Sequence, residues 1–442
     1  MLNTSEILEI LIDWNLWGNF KLDLLERKYY LKELESLLKT NQVIVVKGLR
    51  RAGKSSLIYL LLSKMIKKKQ IMEKDTLIVN LEDPRLPILM DSKDLVKIYE
   101  VYVTELNPSE KHIVVLDEVQ RIQGWERFVR YLKESKGIKV IVTGSSSKLL
   151  SSEYSTVLAG RHLDLEVFTL DFKEFLAFRG VKVKNRLEVL KKQKEIKRLL
   201  KEYLRFGGFP EVVLTKNESE KKKLLETYYR DIVIIDITTR FNIREIEKLE
   251  NLTKIYISNL STLQSFNKLK NIVNLSLDSV ERFSKYLNLV RLLFFVPKFS
   301  YSLKSQILNP KKVYCHDLGF FRVIGFKFSE NFGKIMENLV FLELFKKGII
   351  NPNIEIFYWK NAQGKEVDFV LKEGLKVKQL IQVCRDISNL EKKEREFKSL
   401  IKASQVLKCK NLLLITFEEE GEENLEEKKI KYMPLWKWLL EN

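Results

Sequence analysis

The sequence predicts an α/β protein that begins with a parallel sheet and ends with a second α/β region. Five short apolar runs alternate with helix-length segments over the first 170 residues: QVIVVKG (42–48), TLIVN (76–80), HIVVLD (112–117), IKVIVTG (138–144) and HLDLEVF (162–168). Runs that are apolar on both faces are typical of buried parallel strands, and their alternation with helices indicates a three-layer domain. A further set of strand-like runs begins near residue 312.

Composition and charge limit the classes of function. The chain has 442 residues, 45% of them hydrophobic, which excludes wholesale disorder and suggests roughly three domains. Its 78 Lys+Arg against 59 Asp+Glu give a net charge of +19, which predicts an anionic partner such as nucleic acid or nucleotide. The abundance of Lys and Glu is typical of a heat-adapted archaeal or bacterial source.

The cysteine pattern and the hydropathy point to a cytoplasmic protein. The three cysteines have no CxxC spacing, and no Cys/His cluster has the spacing of a zinc site. No run of 18 apolar residues occurs, so we expect no membrane span, and no amphipathic anchor stands beside the basic residues, so we expect no membrane partner.

The first strand leads into a phosphate-binding loop. The sequence GLRRAGKS, residues 48–55, matches GxxxxGK[ST] between the strand and the helix SSLIYLLLSKMI. Glycines let backbone N–H groups turn toward phosphate oxygens, and the helix N-terminus adds positive partial charge. The expected ATP-binding residues are Gly48, Arg50, Arg51, Gly53, Lys54, Ser55 and Ser56. Lys54 would reach the β- and γ-phosphates, and Ser55 would hold Mg²⁺.

The third strand ends in two carboxylates. Ile113-Val114-Val115-Leu116-Asp117-Glu118 has the Walker B pattern. Asp117 would complete the Mg²⁺ shell, and Glu118 would polarise the attacking water, which favours hydrolysis over storage of the nucleotide.

Two further elements of the first domain carry polar candidates. TGSS (143–146) closes the fourth strand, which should lie between the Walker B strand and the P-loop strand, so Thr143 or Ser145 could reach the γ-phosphate or the water. Arg161, just before the fifth strand, is a candidate arginine finger, in cis or in trans, with a structural salt bridge as the alternative.

The middle of the chain is predicted to be mainly helical. Residues 182–201 hold nine basic residues, Lys184 among them, and two acidic ones, which indicates either a solvated helix face or part of a polyanion-binding surface. Residues 241–300 predict helices followed by a hairpin, with a capping box at Asp278-Ser279-Val280-Glu281 and a strand at 291–296 returning through FSYSLK. This order is compatible with a winged helix.

The end of the chain predicts a second α/β domain. Its expected strands are 312–317, 354–360, 366–371, 378–384 and 411–417. A long amphipathic helix over 332–348 is expected to stop at Gly348, and a charged helix covers 390–403.

With these motifs in place, the chain resembles archaeal-type P-loop ATPases of the AAA+/STAND-related group that carry a C-terminal DUF4143-like region. The motifs that carry the resemblance are GLRRAGKSS (48–56), NLEDPR (80–85), VVLDEVQRIQGWE (114–126), TGSSS (143–147), LAGR (158–161), FTLDFKEFL (168–176), YLRFGGFPEVV (203–213), YYRDIVIIDITTR (228–240) and WKNAQGKEVDFVL (359–371). The resemblance implies an ATPase core (1–170), a helical lid (171–235), a winged-helix-like domain (236–310) and a domain similar to PD-(D/E)xK, or restriction-endonuclease-like, folds (311–442). It also implies that Pro210 of the lid packs on adenine.

The nuclease-like domain departs from the pattern that the resemblance implies. Such a nuclease needs acidic metal ligands and a lysine near the attacking water. Glu337, Asp368 and Gln382 would be the ligands of a second divalent metal, but Cys384 stands where lysine is usual. Lys365, Lys378 or Arg385 could supply the missing charge. A cleaving domain and a degenerate domain that only binds DNA or a partner both remain open.

The leading hypothesis is therefore a Mg²⁺-dependent ATPase, acting on or loaded by DNA, that forms homo-oligomers. The rival is a STAND-like switch in which nucleotide exchange exposes a surface for a protein partner. A third hypothesis is a defence-linked ATPase with a metal-dependent nuclease effector.

Overall fold

The computed structural model describes residues 2–18, 24–87, 89–145, 158–183, 185–325 and 332–441. These residues form two compact units, Met1–Phe168 and Thr169–Asn442. Among the described residues, none of the helices has the length and apolar character needed to cross a bilayer.

The first unit is a three-layer α/β domain. Its helices are α1 (Thr4–Trp14), α2 (Lys28–Leu38), α3 (Lys54–Lys67), α4 (Ser92–Leu106) and α5 (Trp125–Lys136). Its strands are β1 (Val43–Gly48), β2 (Thr76–Asn80), β3 (Ile113–Asp117), β4 (Lys139–Ser145) and β5 (His162–Val167). The five strands are parallel in the order β2-β3-β4-β1-β5, and the predicted fold class is confirmed.

The strand order brings the chemically active ends together. β4 lies between β3 and β1, with Val46 opposite Thr143 and Gly48 opposite Ser145. Every residue of β1 and β3 is buried, because helices cover both faces of the sheet. Polar residues therefore reach solvent only where the strands end.

The second unit begins with helices. They are α6 (Phe172–Phe178), α7 (Arg186–Lys191), α8 (Gln193–Phe206), α9 (Pro210–Leu214) and α10 (Glu218–Asp231), which continues as a π-helix over Ile232–Thr239. The basic stretch is thus two helices that meet at Lys192, and Lys184 lies outside the described residues. α8 buries Ile196, Leu199 and Leu200 on one face and exposes Lys194, Arg198 and Lys201 on the other.

A small three-stranded sheet follows. The elements are α11 (Ile246–Ser258), β6 (Leu263–Gln264), α12 (Phe266–Ile272), α13 (Leu277–Leu289), β7 (Leu293–Val296), α14 (Leu303–Leu308) and β8 (Lys311–Cys315). The antiparallel order is β6-β8-β7. The strand predicted at 312–317 therefore belongs to this sheet, and the return strand is β8 rather than FSYSLK. The α13 N-cap is Ser276, whose hydroxyl accepts from Ser279 N–H, and not Asp278.

The remaining residues form a mixed sheet with helices. The helices are α15 (Leu318–Ile324), α16 (Phe332–Ile350), α17 (Leu390–Leu407) and α18 (Leu435–Glu441), and the strands are β9 (Ile354–Lys360), β10 (Glu366–Glu373), β11 (Lys376–Val383), β12 (Leu412–Thr416), β13 (Gly421–Leu425) and β14 (Lys428–Pro434). The sheet order is β13-β14-β12-β11-β10-β9.

Helix α16 differs from the prediction in its end and in its exposure. It continues through Gly348 to Ile350, because glycine alone lowers helix propensity without ending a packed helix. It is also buried continuously from Ile335 to Leu342, so it is a core helix rather than an amphipathic one.

Candidate functional site

The phosphate-binding loop spans the gap between β1 and α3. Gly48 ends β1 where a Cβ atom would lie only 2.2 Å from the Val167 carbonyl oxygen, so no larger residue fits. Arg51 and Gly53 adopt φ values of +67° and +92°, the left-handed region that glycine accepts most readily. This backbone turns the loop back onto the N-terminus of α3. Arg27, which sequence analysis missed, stabilises the loop by donating a 3.0 Å hydrogen bond to the Ala52 carbonyl oxygen.

Lys54 lies at the first position of α3 with its side chain buried. Its ammonium donates to the carbonyl oxygens of Gly48 and Leu49, each at 3.4 Å, and stands 3.6 Å from Glu118 Oε1. The loop curls around this ammonium, which is the position from which a lysine can reach terminal phosphates.

A chain of contacts joins the N-terminus of α3 to the end of β3 and to β4. The Ser55 hydroxyl donates to Asp117 Oδ1 at 2.9 Å. The Thr143 hydroxyl donates to the same oxygen and accepts the Glu118 N–H at 3.0 Å. Four of the predicted site residues are therefore brought together within hydrogen-bond distance.

Glu118 has a constrained backbone and a held side chain. Its φ of +60° is uncommon for a non-glycine residue and is typical of strained positions at functional sites. Its carboxylate accepts a hydrogen bond from the Gln120 amide and faces Lys54. Burial alone would raise the pKa of Glu118, but Lys54, Gln120 and Arg50 outweigh it and leave the pKa below its ordinary value.

The pKa of Asp117 is shifted in the opposite direction, above its ordinary value. Burial raises the pKa of its carboxyl, and the negative charge of Glu118 adds to this effect, against the hydrogen bonds from Thr143 and Ser55. A cation at this position would offset the cost of burying the charge.

The two arginines of the loop differ in their surroundings. Arg50 pairs with Glu82 at 3.3 Å, and Arg121 pairs with the same carboxylate at 3.2 Å. Arg51 is exposed. Glu82 belongs to the NLEDPR motif (80–85), but sequence analysis assigned it no role.

The other predicted residues of the first unit lie at different places. Ser56 is half-buried in α3, and Ser145 is buried at the end of β4 opposite Gly48. The end of the TGSSS motif, Ser146 and Ser147, lies outside the described residues.

Arg161 precedes β5 and so lies at the amino edge of the parallel sheet, opposite the P-loop. Its guanidinium pairs with Glu134 at 2.7 Å, as in the salt-bridge alternative. The structure therefore does not bring Arg161 to the phosphate loop of its own chain.

Pro210, in the second unit, is the first residue of α9, where its missing N–H costs nothing. The preceding turn is held by Asp317, whose carboxylate accepts the Gly208 N–H at 2.8 Å. The adenine-packing role stays a prediction.

The structure also brings together the acidic residues of the terminal domain, but around a lysine. The buried ammonium of Lys312, on β8, lies 2.7 Å from Asp368, 3.0 Å from Glu337 and 2.8 Å from Glu366. Glu337 is buried, although it lies on a helix. Of the predicted sources of positive charge, Lys378 pairs with Glu373 at 3.1 Å.

Neighbouring polar groups complete this cluster. Tyr314 donates to Glu337 at 2.8 Å, and Gln382 accepts the Asp368 N–H at 3.1 Å while donating to Glu396 at 2.7 Å. Burial, together with repulsion from Asp368, raises the pKa of Glu337, and the three carboxylates hold the pKa of Lys312 above its ordinary value despite burial.

These residues do not fit a second metal ion. The lysine ammonium already engages the carboxylates that would be the ligands, and the part of the chain that the structure describes contains no group of three or more His, Cys, Asp or Glu side chains arranged to hold a metal. Lys312 was missed because nothing local marks it. Its partners Glu337 and Asp368 lie 25 and 56 residues further along the chain, on α16 and β10.

Three family models match successive parts of the chain. Residues 40–176 match the family described as AAA domain, and residues 197–329 and 332–438 match two domains of unknown function, DUF8612 and DUF4143. The uncharacterized protein MJ1544 of Methanocaldococcus jannaschii is 35% identical over 421 residues, 92% of this chain and 90% of that protein. An uncharacterized protein of Haemophilus influenzae is 28% identical over 358 residues, 79% of this chain and 84% of its own length.

Among solved structures, the Walker-type ATPase of Pyrococcus abyssi is similar with a TM-score of 0.46 and 14% identity. The match covers 68% of this chain and 96% of that one.

Proposed function

Because the chain belongs to the family of proteins that join a P-loop AAA domain to a DUF4143 domain, with archaeal relatives, we propose that it is a Mg²⁺-dependent ATPase that acts on DNA. The motifs had predicted this family. The observation that carries the ATPase proposal is the contact chain Ser55–Asp117–Thr143–Glu118 beside the buried Lys54.

The loop residues fit a nucleoside triphosphate. The backbone from Gly48 to Gly53 curls around the Lys54 ammonium, which donates to the carbonyl oxygens of Gly48 and Leu49. Ser55 and Asp117 offer a hydroxyl and a carboxylate oxygen 2.9 Å apart, the hard oxygen donors that Mg²⁺ prefers. Bound Mg²⁺ neutralises charge on the phosphates.

Glu118 is proposed as the residue that orients and deprotonates the attacking water. Thr143 fixes the backbone of Glu118 and the carboxylate of Asp117 through one hydroxyl, so the two acids keep a constant separation. Gln120 and Lys54 fix the Glu118 side chain on its other sides. Such positioning converts a weak base into an efficient one, because the proton acceptor is already aligned.

DNA is the proposed polyanion because of the distribution of charge. The net charge is +19, and α8 exposes Lys194, Arg198 and Lys201 opposite its buried face. Lysine and arginine that contact phosphates release counterions, so binding should weaken steeply with salt. Homo-oligomers are part of this proposal, and Arg161 remains a candidate only for the site of a neighbouring subunit.

The experiment is the rate of ATP hydrolysis by the full chain with and without single- and double-stranded DNA, across 50 to 400 mM salt. DNA should stimulate hydrolysis at low salt, and the stimulation should vanish at high salt. The Glu118→Gln variant is the matched control, because it removes the base and keeps the shape. Slow hydrolysis that no DNA changes at any salt would overturn the DNA part and favour the STAND-like switch.

A further inference from the structure

The part of the chain around the three-stranded sheet carries an unusual share of the positive charge. Residues 251–316 contain ten Lys or Arg and two acidic residues, Asp278 and Glu281, a net charge of +8. No acidic residue occurs from Arg282 to His316. Less than a sixth of the sequence thus supplies a large part of the total charge.

The connection between β7 and β8 is the segment of this region that concerns us. A helix, a short strand, two helices, a strand, the short helix α14 and a last strand follow one another, and the strands pair in the order β6-β8-β7. The two long strands, β7 and β8, are joined by residues 297–310, which we term the wing. In winged-helix folds, this connection stands beside the second of the two central helices, here α13.

The wing is held at both ends. Phe299 is buried, packs edge-on against Phe357, and donates its N–H to the Tyr358 carbonyl oxygen at 2.6 Å. The Tyr358 hydroxyl donates to the Pro310 carbonyl oxygen at 2.5 Å. Within the wing, Gln306 donates to the Ser300 carbonyl oxygen at 2.7 Å. These contacts hold the wing in one defined conformation.

Between these anchors the wing exposes large apolar side chains. Tyr301 is 80% exposed, with its ring centroid 5.2 Å from that of Phe299, and Leu303 and Leu308 are 70% and 71% exposed. Exposed apolar groups that are clustered, rather than scattered singly, mark a binding surface. The charged residues next to them, Lys298, Lys304 and Lys311, are all basic.

We propose that the wing is a nucleic-acid wedge, in which Tyr301 stacks on an unpaired base at a junction between single- and double-stranded DNA. The charge indicates which partner fits this surface. The apolar side chains of the wing are bordered only by cations, and single-stranded nucleic acid offers both negative phosphates and base faces on which an aromatic ring can stack. Arg282 and Lys285, exposed on α13, would contact the duplex backbone beside the junction. This inference rests on the DNA binding proposed above and specifies the DNA structure.

The test uses the full chain and three fluorescein-labelled probes of one sequence: a single strand, a blunt duplex and a fork with a single-stranded tail. Anisotropy should show that the wild type binds the fork several-fold more tightly than the duplex. Tyr301→Ser should lower fork affinity about 5- to 150-fold, the loss of one stacked base, and leave duplex affinity within about twofold. Tyr301→Phe should keep the preference.

Two control variants separate the wedge from general DNA binding. Leu375→Ser removes an apolar side chain that is 92% exposed in the turn between β10 and β11 and should change nothing. The double variant Arg282→Ala/Lys285→Ala should weaken binding to the duplex and the fork and reduce the salt dependence.

Each remaining outcome decides against the wedge. If Tyr301→Ser binds the fork like the wild type, the wedge is wrong although DNA binding stands. If Tyr301→Ser instead dissociates an oligomer and leaves all three affinities unchanged, the wing is a protein interface. If the wild type binds none of the three probes at low salt, the DNA part of the proposed function fails together with the wedge.

Discussion

The ammonium of Lys312 lies 2.7 Å from Oδ1 of Asp368, with both side chains buried. The lysine comes from the small three-stranded sheet, whereas the aspartate belongs to the mixed sheet of the terminal domain. Glu337 and Glu366 contact the same ammonium. One buried cation therefore joins two parts of the second unit through three carboxylates.

Replacing this cation should destabilise the second unit. Lys312→Met keeps most of the volume but leaves buried carboxylates uncompensated, which costs about 3–5 kcal/mol. Urea unfolding followed by circular dichroism measures the loss. Lys398→Met is the matched control, because its pair with Glu394 is exposed and contributes little. Equal midpoints for Lys312→Met and the wild type would show that the cluster does not stabilise the fold.

Much of the first unit could be predicted from the sequence, because its signals are local. The five strands, Lys54 and the Asp117-Glu118 pair follow from runs and spacings of a few residues. Lys312 could not be predicted, since its role depends on contacts with Glu337 on α16 and Asp368 on β10, 25 and 56 residues further along the chain. The position of Arg161 opposite the P-loop follows from the predicted parallel sheet, because Arg161 precedes its strand whereas the P-loop follows β1, and only the partner Glu134 required the structure.

The same cluster predicts that the terminal domain does not cleave DNA with a divalent metal. Lys312 engages Asp368 and Glu337, so a metal would have to displace a buried ammonium from its counterions. Supercoiled plasmid incubated with the wild type and Mn²⁺ should stay intact over hours, and Asp368→Asn should behave identically. Nicking by the wild type that disappears in Asp368→Asn would restore the nuclease hypothesis.

Glu118→Gln should separate nucleotide binding from hydrolysis. The amide keeps the shape and the neighbour Gln120 but cannot accept the proton of the water, so hydrolysis should fall about 10²–10⁴-fold while ATP still binds. Lys54→Ala should lose binding as well, because it removes the buried ammonium of the loop. Fluorescent-ATP titration and phosphate release measure the two steps. Full turnover by Glu118→Gln would assign the base elsewhere.

Thr143 is predicted to act through its two acidic neighbours. Thr143→Val removes the hydroxyl that joins Asp117 to the Glu118 N–H at nearly constant volume, so kcat should fall about tenfold or more with a smaller change in KM. Thr143→Ser retains the hydroxyl and should recover most of the rate. If valine and serine variants hydrolyse ATP equally, the hydroxyl does not position the acids.

His316 should make the second unit sensitive to acid. Its ring is fully buried and stacks near Phe294, with centroids 5.9 Å apart, and burial lowers its pKa to about 3, helped by the positive charges of Lys346 and Arg291. In the unfolded chain the imidazole titrates near its ordinary value of 6.5. The unfolded state therefore binds the proton first as pH falls.

The sign of the effect follows from that depressed pKa. The contribution of His316 to stability is fully present above pH 6.5 and is lost as pH falls toward 3, about 3 kcal/mol between pH 7 and pH 4. Neighbouring Asp317 has the opposite sign, because burial raises its pKa to about 6 and the folded state binds that proton more tightly. Comparing variants at His316 alone separates the two groups.

The His316→Phe variant should therefore lose less stability than the wild type between pH 7 and pH 4, when each is measured relative to its own value at pH 7. Urea unfolding at pH 7, 5.5 and 4 gives the three free energies. Phe294→Leu is the control, since it disturbs the same ring contact without removing a titrating group and should keep the pH dependence of the wild type. An equally steep loss in His316→Phe would mean that other groups cause the acid sensitivity of this unit.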